Sequence, residues 1–297
     1  MNGIFVEGVS KANMFQKMVV AGVGLIGGSL ALDMRRRGLV KEIVGYGRTE
    51  ANLKIARRKR IIDGYFVREE EIPADTDFLM LGTPVQTIVP LTEAFLPRLK
   101  RGCIVSDVGS VKGEIVRGME RLLPAGIHFV GAHPIAGSEQ WGAEAARENL
   151  FMGRLCVLTP TRKTNRAALK KMVLLWRRVG AYVEIINANR HDHILGVVSH
   201  LPHMAAFALV NALDQTKLDG VDLKRFCAGG FKDITRIASS RPELWRDICL
   251  LNRRAVSRSL GTYIRNLERM KRWVDGGNGR ALDREFANAN EVREQLG

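Results

Sequence analysis

Cysteine is scarce in this chain. The 297 residues hold 4, at positions 103, 156, 227 and 249, far apart and without a Cys-x-x-Cys pair. That spacing argues against a disulfide framework and a cysteine-built zinc site, and it points to a reduced, cytoplasmic protein with free thiols. Long apolar runs are also missing. No stretch of about 18 apolar residues appears, so the pattern promises no membrane helix. Residues 1–17 lack the apolar centre of a signal peptide. Aromatics are only 6% of the chain, and none are interleaved with basic clusters, which counts against a nucleic-acid surface. Acidic residues are outnumbered 31 to 46 by Lys and Arg, a formal net charge of +15. The excess sits in short groups such as Arg35-Arg36-Arg37, Arg57-Arg58-Lys59-Arg60, Arg177-Arg178 and Arg253-Arg254. Each falls near an expected helix end or face, and solvated helix faces are the plain reading. A positive field would also favour an anionic small molecule. There is no internal repeat and no low-complexity segment.

What is present is ample core material, 46% hydrophobic residues, enough for one large or two ordinary domains. Apolar runs at 17–21, 42–46, 78–81, 103–107 and 128–132 read as strands, with helices at 29–37 and 51–60. Gly38 falls where a helix-ending glycine belongs. Buried strands alternating with helices imply an α/β, doubly wound parallel sheet. Later strands are expected at 155–158 and 182–186, around a helix at 165–179. After Asn187 the strand signals stop. Residues 192–213 read as one long apolar helix interrupted by Pro202, all beyond is helical, and 276–297 is polar enough to fray. The expected domains are therefore 1–187 and 188–297.

Gly22-Val23-Gly24-Leu25-Ile26-Gly27 matches G-x-G-x-x-G between an expected strand and an expected helix. In that context the pattern is a dinucleotide fingerprint. Gly22 permits the tight turn, Gly24 the approach of the backbone to a pyrophosphate, and Gly27 close helix–strand packing, with Leu25 and Ile26 at the helix start. Thr83-Pro84, ending a later strand, would border the same ligand. The end of the second strand reads Gly45-Tyr46-Gly47-Arg48-Thr49. No acid stands there for a ribose 2′-hydroxyl, and Arg48 suits a 2′-phosphate, which favours NADP over NAD. Glu50 is close enough to keep NAD open, whereas Glu42 starts the strand and points away.

Three polar segments bear on chemistry. His133, in Gly131-Ala132-His133-Pro134, is an acid–base candidate, with a buried, satisfied histidine as the equal alternative. Ser110, in Asp107-Val108-Gly109-Ser110-Val111-Lys112, could position it or the substrate. Four of the six histidines fall between 191 and 203, and spacing puts His193, His200 and His203 on one helical face. A polar face lining a cleft is favoured over a metal site, since no carboxylate or cysteine pattern accompanies them. Lys232 and Arg236 stand one helical turn apart and could hold an anionic group; Arg matches a carboxylate with planar donors.

Together, residues 22–29, 107–112, 133–137, 199–203 and 229–236 resemble the prephenate dehydrogenase family, which includes arogenate and cyclohexadienyl dehydrogenases. The resemblance runs from about residue 17 to 255. It implies a Rossmann domain, a helical dimerisation domain and hence a homodimer. It also implies NAD(P)-dependent oxidative decarboxylation of prephenate or arogenate, on the route to tyrosine. By motif, His133 would be the acceptor and general base on the ring hydroxyl. Ser110 would orient that hydroxyl and the histidine. His203 would bind substrate and Arg236 anchor a carboxylate. Lys232, Asp233 and Glu139 resemble a charged network gating the pocket. The NAD-dependent members tend to carry an acid where this chain has Gly47, a departure that again favours NADP. Any tyrosine feedback would have to act at the active site, since there is no room for a regulatory domain. The rivals are a β-hydroxyacid dehydrogenase or imine reductase and a non-catalytic dinucleotide sensor. The β-hydroxyacid dehydrogenase would use a catalytic lysine early in the long second-domain helix, and none lies between Lys171 and Lys217. The sensor would not need His133, Ser110 and Arg236 together.

Overall fold

The structure, a computed structural model, describes residues 13–137 and 140–296. Strands β1 (Phe15–Ala21) and β2 (Val40–Tyr46) share one burial pattern, with the last four residues of each fully covered. Such runs belong in the middle of a sheet with helices on both faces. Between them lies α1 (Leu25–Arg36), closed by Gly38 at φ +63°, as the glycine's position suggests. Then come α2 (Glu50–Arg58), β3 (Gly64–Phe66), β4 (Phe78–Leu81), α3 (Ile88–Phe95), β5 (Ile104–Asp107), α4 (Gly113–Leu122) and β6 (His128–Val130). The six strands are all parallel, in the order β3-β2-β1-β4-β5-β6. The expected doubly wound sheet is thus present. The edge strand β3 was not anticipated, because three residues carry no readable alternation.

The expected strand at 128–132 is in fact two. It breaks at Gly131, where an added Cβ would meet the Thr159 hydroxyl oxygen at 2.6 Å. The chain leaves the large sheet there and enters a second, three-stranded one. This sheet has β7 (Ala132–Pro134) antiparallel to β8 (Leu155–Leu158), and β8 parallel to β9 (Tyr182–Ile185), with α5 (Arg166–Arg178) crossing between the latter two. His133 therefore sits inside the small sheet, not at the end of a strand of the large one.

From residue 188 the chain is helical. α6 (Ala188–Leu195) runs through a π turn, Gly196–His200, into α7 (Leu201–Gln215). Pro202 lies in the first turn of α7. It cannot bond back to Val198, and its ring crowds that carbonyl, so the turn before it widens. The extra residue rotates everything downstream, which overturns the shared face expected of His193, His200 and His203. His193 is exposed, His200 is buried and His203 is half-buried. By length and composition the 188–215 helix is apolar enough to cross a membrane (mean hydropathy 1.5), where the sequence pattern promised no such segment. Its His191, Asp192 and His200 are buried against other elements of the fold.

α8 (Gly229–Thr235), α9 (Pro242–Leu251), α10 (Arg253–Asp275) and α11 (Gly279–Glu294) complete the chain. The last corrects the expectation of fraying. Asn278 caps α11 by accepting from the Ala281 amide, and Arg269 of α10 pairs with Glu285 at 2.6 Å. The arginine pairs 35/36, 57/58 and 177/178 close α1, α2 and α5, where positive charge meets the negative end of the helix dipole.

Candidate active site

The carboxyl ends of β1 and β4 meet at the switch point of the sheet order. Gly22, at φ +89°, packs so tightly on Gly82 that an added Cβ would lie 2.6 Å from its carbonyl carbon. Gly27 is equally constrained, with the Gly22 carbonyl oxygen 2.5 Å from where a Cβ would stand. At Gly24 a Cβ would have only the Gly142 nitrogen within reach, at 4.0 Å. Helix α1 starts here with no side-chain cap and no acid in its first turn. Its leading amides, from Leu25 and Ile26 onward, are left for an outside anion. Beside them, past Gly82, the Thr83 hydroxyl is buried without a hydrogen-bond partner, followed by exposed Pro84. These features fit a dinucleotide.

At the end of β2, Arg48 is exposed, and a Cβ at Gly47 would make only ordinary contacts with Leu53, 3.5 Å at closest. Glu50 is engaged with Lys54 at 3.1 Å and the Tyr65 hydroxyl at 3.0 Å. Glu42 pairs with Lys17 at 3.1 Å, away from the glycine loop.

The strand β5 carries Asp107 to the same edge. One carboxylate oxygen accepts from the Ala132 amide at 3.2 Å, tying the end of β5 to the start of β7. The other accepts from the Gly109 amide at 2.9 Å and pairs with Lys112, both side chains fully buried. That anchor places His133, one residue beyond Ala132. His133 Nδ1 lies 2.8 Å from His191 Nε2, and His191 Nδ1 lies 2.9 Å from Asp192 Oδ1. Burial pushes the pKa of His133 well below the ordinary histidine value, and the neighbouring His191 and Lys112 act in the same direction. His191 is lowered as well, by burial against the opposing pull of Asp192.

Ser110 is half-buried on the loop between Asp107 and Lys112, and its backbone lies beside His200. His200 is held down to about 4 by burial. Its Nδ1 is 3.0 Å from Asn252 Nδ2, which also donates to the Asp192 carbonyl at 2.8 Å. His203 donates from Nδ1 to the Ser199 carbonyl at 2.9 Å and stacks on Trp245, ring centroids 3.7 Å apart. Arg236 is close enough to help lower the His203 pKa, behind the larger effect of burial. Lys232 and Asp233 are exposed on α8. Glu139 lies outside the described residues.

Four participants escaped sequence reasoning: His191, Asp192, Trp245 and Asn252. Adjacent His191-Asp192 in an apolar helix was a usable signal, but the helical spacing that singled out His193 was misled by the π turn.

A glycine loop open to phosphates, with a half-buried neutral histidine on a second sheet tied to the same edge through Asp107, defines a nicotinamide-dinucleotide-dependent dehydrogenase. Comparison with known proteins narrows this. The family model "Prephenate dehydrogenase, nucleotide-binding domain" matches residues 30–185, and "Prephenate dehydrogenase, dimerization domain" matches 187–288. The chain belongs to the prephenate dehydrogenase family. It is 34% identical to the prephenate dehydrogenase of Bacillus subtilis over 95% of this chain and 76% of that one. It is 30% identical to the cyclohexadienyl dehydrogenase of Zymomonas mobilis over 95% and 97%. Among solved structures, Aquifex aeolicus prephenate dehydrogenase in complex with hydroxyphenyl propionate and NAD+ superposes with a TM-score of 0.90 at 37% identity, covering 95% of this chain and 98% of that one. Synechocystis arogenate dehydrogenase gives 0.79 at 31%, covering 95% and 100%.

Proposed function

We propose that this chain oxidises prephenate with loss of carbon dioxide, giving 4-hydroxyphenylpyruvate on the route to tyrosine. The observation that carries the reading is the half-buried, neutral His133 anchored through Ala132 to the carboxyl edge of the dinucleotide-binding sheet. Nicotinamide bound at that edge supplies the hydride acceptor. Gly22, Gly24, Leu25, Ile26 and Gly27 receive the pyrophosphate, with Thr83 and Pro84 alongside. His133 accepts the hydrogen bond of the ring hydroxyl and holds its proton while the C–H electron pair leaves the same carbon. The carboxylate at the opposite ring carbon departs as carbon dioxide, its bonding electrons complete the aromatic ring, and the proton remains with the phenol.

Ser110 orients the hydroxyl. His203, flat against Trp245, and Arg236 beside it bind the substrate, with Arg236 on a carboxylate. Lys232 and Asp233 border the entrance. NADP is preferred to NAD, because Arg48 is exposed at the end of β2 with no acid paired to it among the described residues, and Glu50 is already paired. The boundary between the two domains falls at residue 187. The four free cysteines suit a reducing cytoplasm. Two copies associate through the helical half, where Ile234, Ile264, Leu267, Val274 and Phe286 are exposed apolar residues.

Absorbance at 340 nm tests the reading, with prephenate or arogenate supplied against NAD+ or NADP+. Reduction should be fastest with prephenate and NADP+. No reduction with either substrate sinks the assignment, and a strong preference for arogenate moves it to that substrate.

A further inference from the structure

A neutral imidazole accepts a proton at only one of its two nitrogens, so a histidine base works in only one tautomer. Behind His133 the structure holds a chain of groups that selects one. Asp192 Oδ1 accepts from the Lys112 amide at 2.7 Å, and Oδ2 from the Gly113 amide at 2.8 Å, at the start of α4. A carboxylate so engaged can only accept. His191 Nδ1, 2.9 Å from Oδ1, must then carry a hydrogen. A neutral His191 keeps its lone pair on Nε2, so His133 Nδ1, 2.8 Å away, must donate to it. The lone pair of His133 is left on Nε2.

We propose that His191 and Asp192 are positioning residues that hold His133 as its Nδ1–H tautomer and present Nε2 to the substrate hydroxyl. Burial keeps both rings neutral, as this scheme requires. The glycine at the start of α4 belongs to the device. A Cβ on Gly113 would stand 2.8 Å from Asp192 Oδ2, so the carboxylate reaches both amides only because that position is bare. The proposal rests on the reading of His133 as the base.

The direct test is long-range proton–nitrogen correlation NMR on the full chain labelled with 15N-histidine, with His133 and His191 assigned by single substitution. Both rings are expected as Nδ1–H tautomers with bare Nε2. His133 protonated at Nε2, or averaging between tautomers, overturns the proposal. Kinetics supply a second test. His191→Leu is expected to lower kcat about 10-fold or more while KM stays within about twofold, because a wrong tautomer removes the base without touching the carboxylate anchors. His191→Gln, whose amide oxygen can accept from His133 Nδ1, should recover part of that rate. Gly113→Ala should lose rate as His191→Leu does. A rate kept in His191→Leu but lost in His133→Asn overturns the relay alone. A rate kept in His133→Asn overturns the base reading beneath it.

Discussion

The two halves of this molecule bury their apolar residues to very different degrees. Up to β9 the sheets and their helices supply nearly all of two buried clusters, one running from Phe15 and Met18 to Trp176 and Val179 and the other joined by Trp245 and Ile248 of α9. Beyond residue 188 the fully covered apolar residues are few, among them Leu195, Ala206, Trp245, Ile248 and Val256. Several large ones face outward there: Ile234 is 63% exposed, Val274 63% and Phe286 49%. The sheet half supplies most of the core, closed on one side by Trp245 and Ile248 of α9. The helical half leaves large apolar residues exposed, and its buried His191, Asp192, His200 and Asn252 surround the site.

Five experiments would break or sharpen that contrast. The largest effect is expected from Lys112→Met, which removes the cation from the fully buried Lys112–Asp107 pair of the sheet half. It should destabilise the protein by about 3–5 kcal/mol in denaturant titration. Lys271→Met removes an exposed i,i+4 pair in the helical half and should change stability by less than about 0.5 kcal/mol. Comparable losses would show that the two halves do not differ as described.

Acid is the second probe. His200 has its pKa depressed to about 4, and His133 and His191 are depressed too. The unfolded chain therefore binds these protons first. Stability should be complete above about pH 6.5 and fall as pH drops toward 4, His200 alone contributing roughly 3 kcal/mol. A melting temperature flat across that window would mean these rings are not buried neutral.

Third, His133→Asn should lower kcat by about 10²-fold or more with the fold intact by circular dichroism, the usual scale for losing an acid–base group. Fourth, Leu267→Glu in the exposed helical face should weaken self-association by about 2 kcal/mol, roughly 30-fold, in sedimentation equilibrium. An unchanged dissociation constant would place the interface elsewhere. Smallest, Gly47→Asp should shift the ratio of kcat/KM toward NAD+ by about tenfold, about 1.4 kcal/mol, since a Cβ fits there and an acid at the end of the second strand favours a ribose 2′-hydroxyl. A ratio that stays put would show the 2′-phosphate is read away from β2.

The sheet half was legible because its signals are local. Runs such as Phe78–Leu81, buried at every position, and glycines at 22, 24 and 27 announce strand and turn without reference to distant residues. The second sheet was half-legible: β8 and β9 could be found, but nothing near Gly131 said the chain would change sheets there. Its cause is a contact with Thr159, 28 residues on. The helical half misled at one point for a similar reason. A 3.6-residue spacing assumes a uniform helix, and the π turn at Gly196–His200 breaks that assumption.

The sequence alone determined the doubly wound fold and the dinucleotide loop, because each depends on hydrophobic period or on a glycine's missing side chain, and it marked His133 as a candidate because an imidazole titrates near neutrality. Tertiary structure decided what surrounds that histidine. His191, Asp192, Lys112 and Asp107 come from β5, the residue just before α4, and α6, separated by up to 85 positions. Their pairing follows from burial, where every donor must find an acceptor, and no spacing along the chain encodes that match.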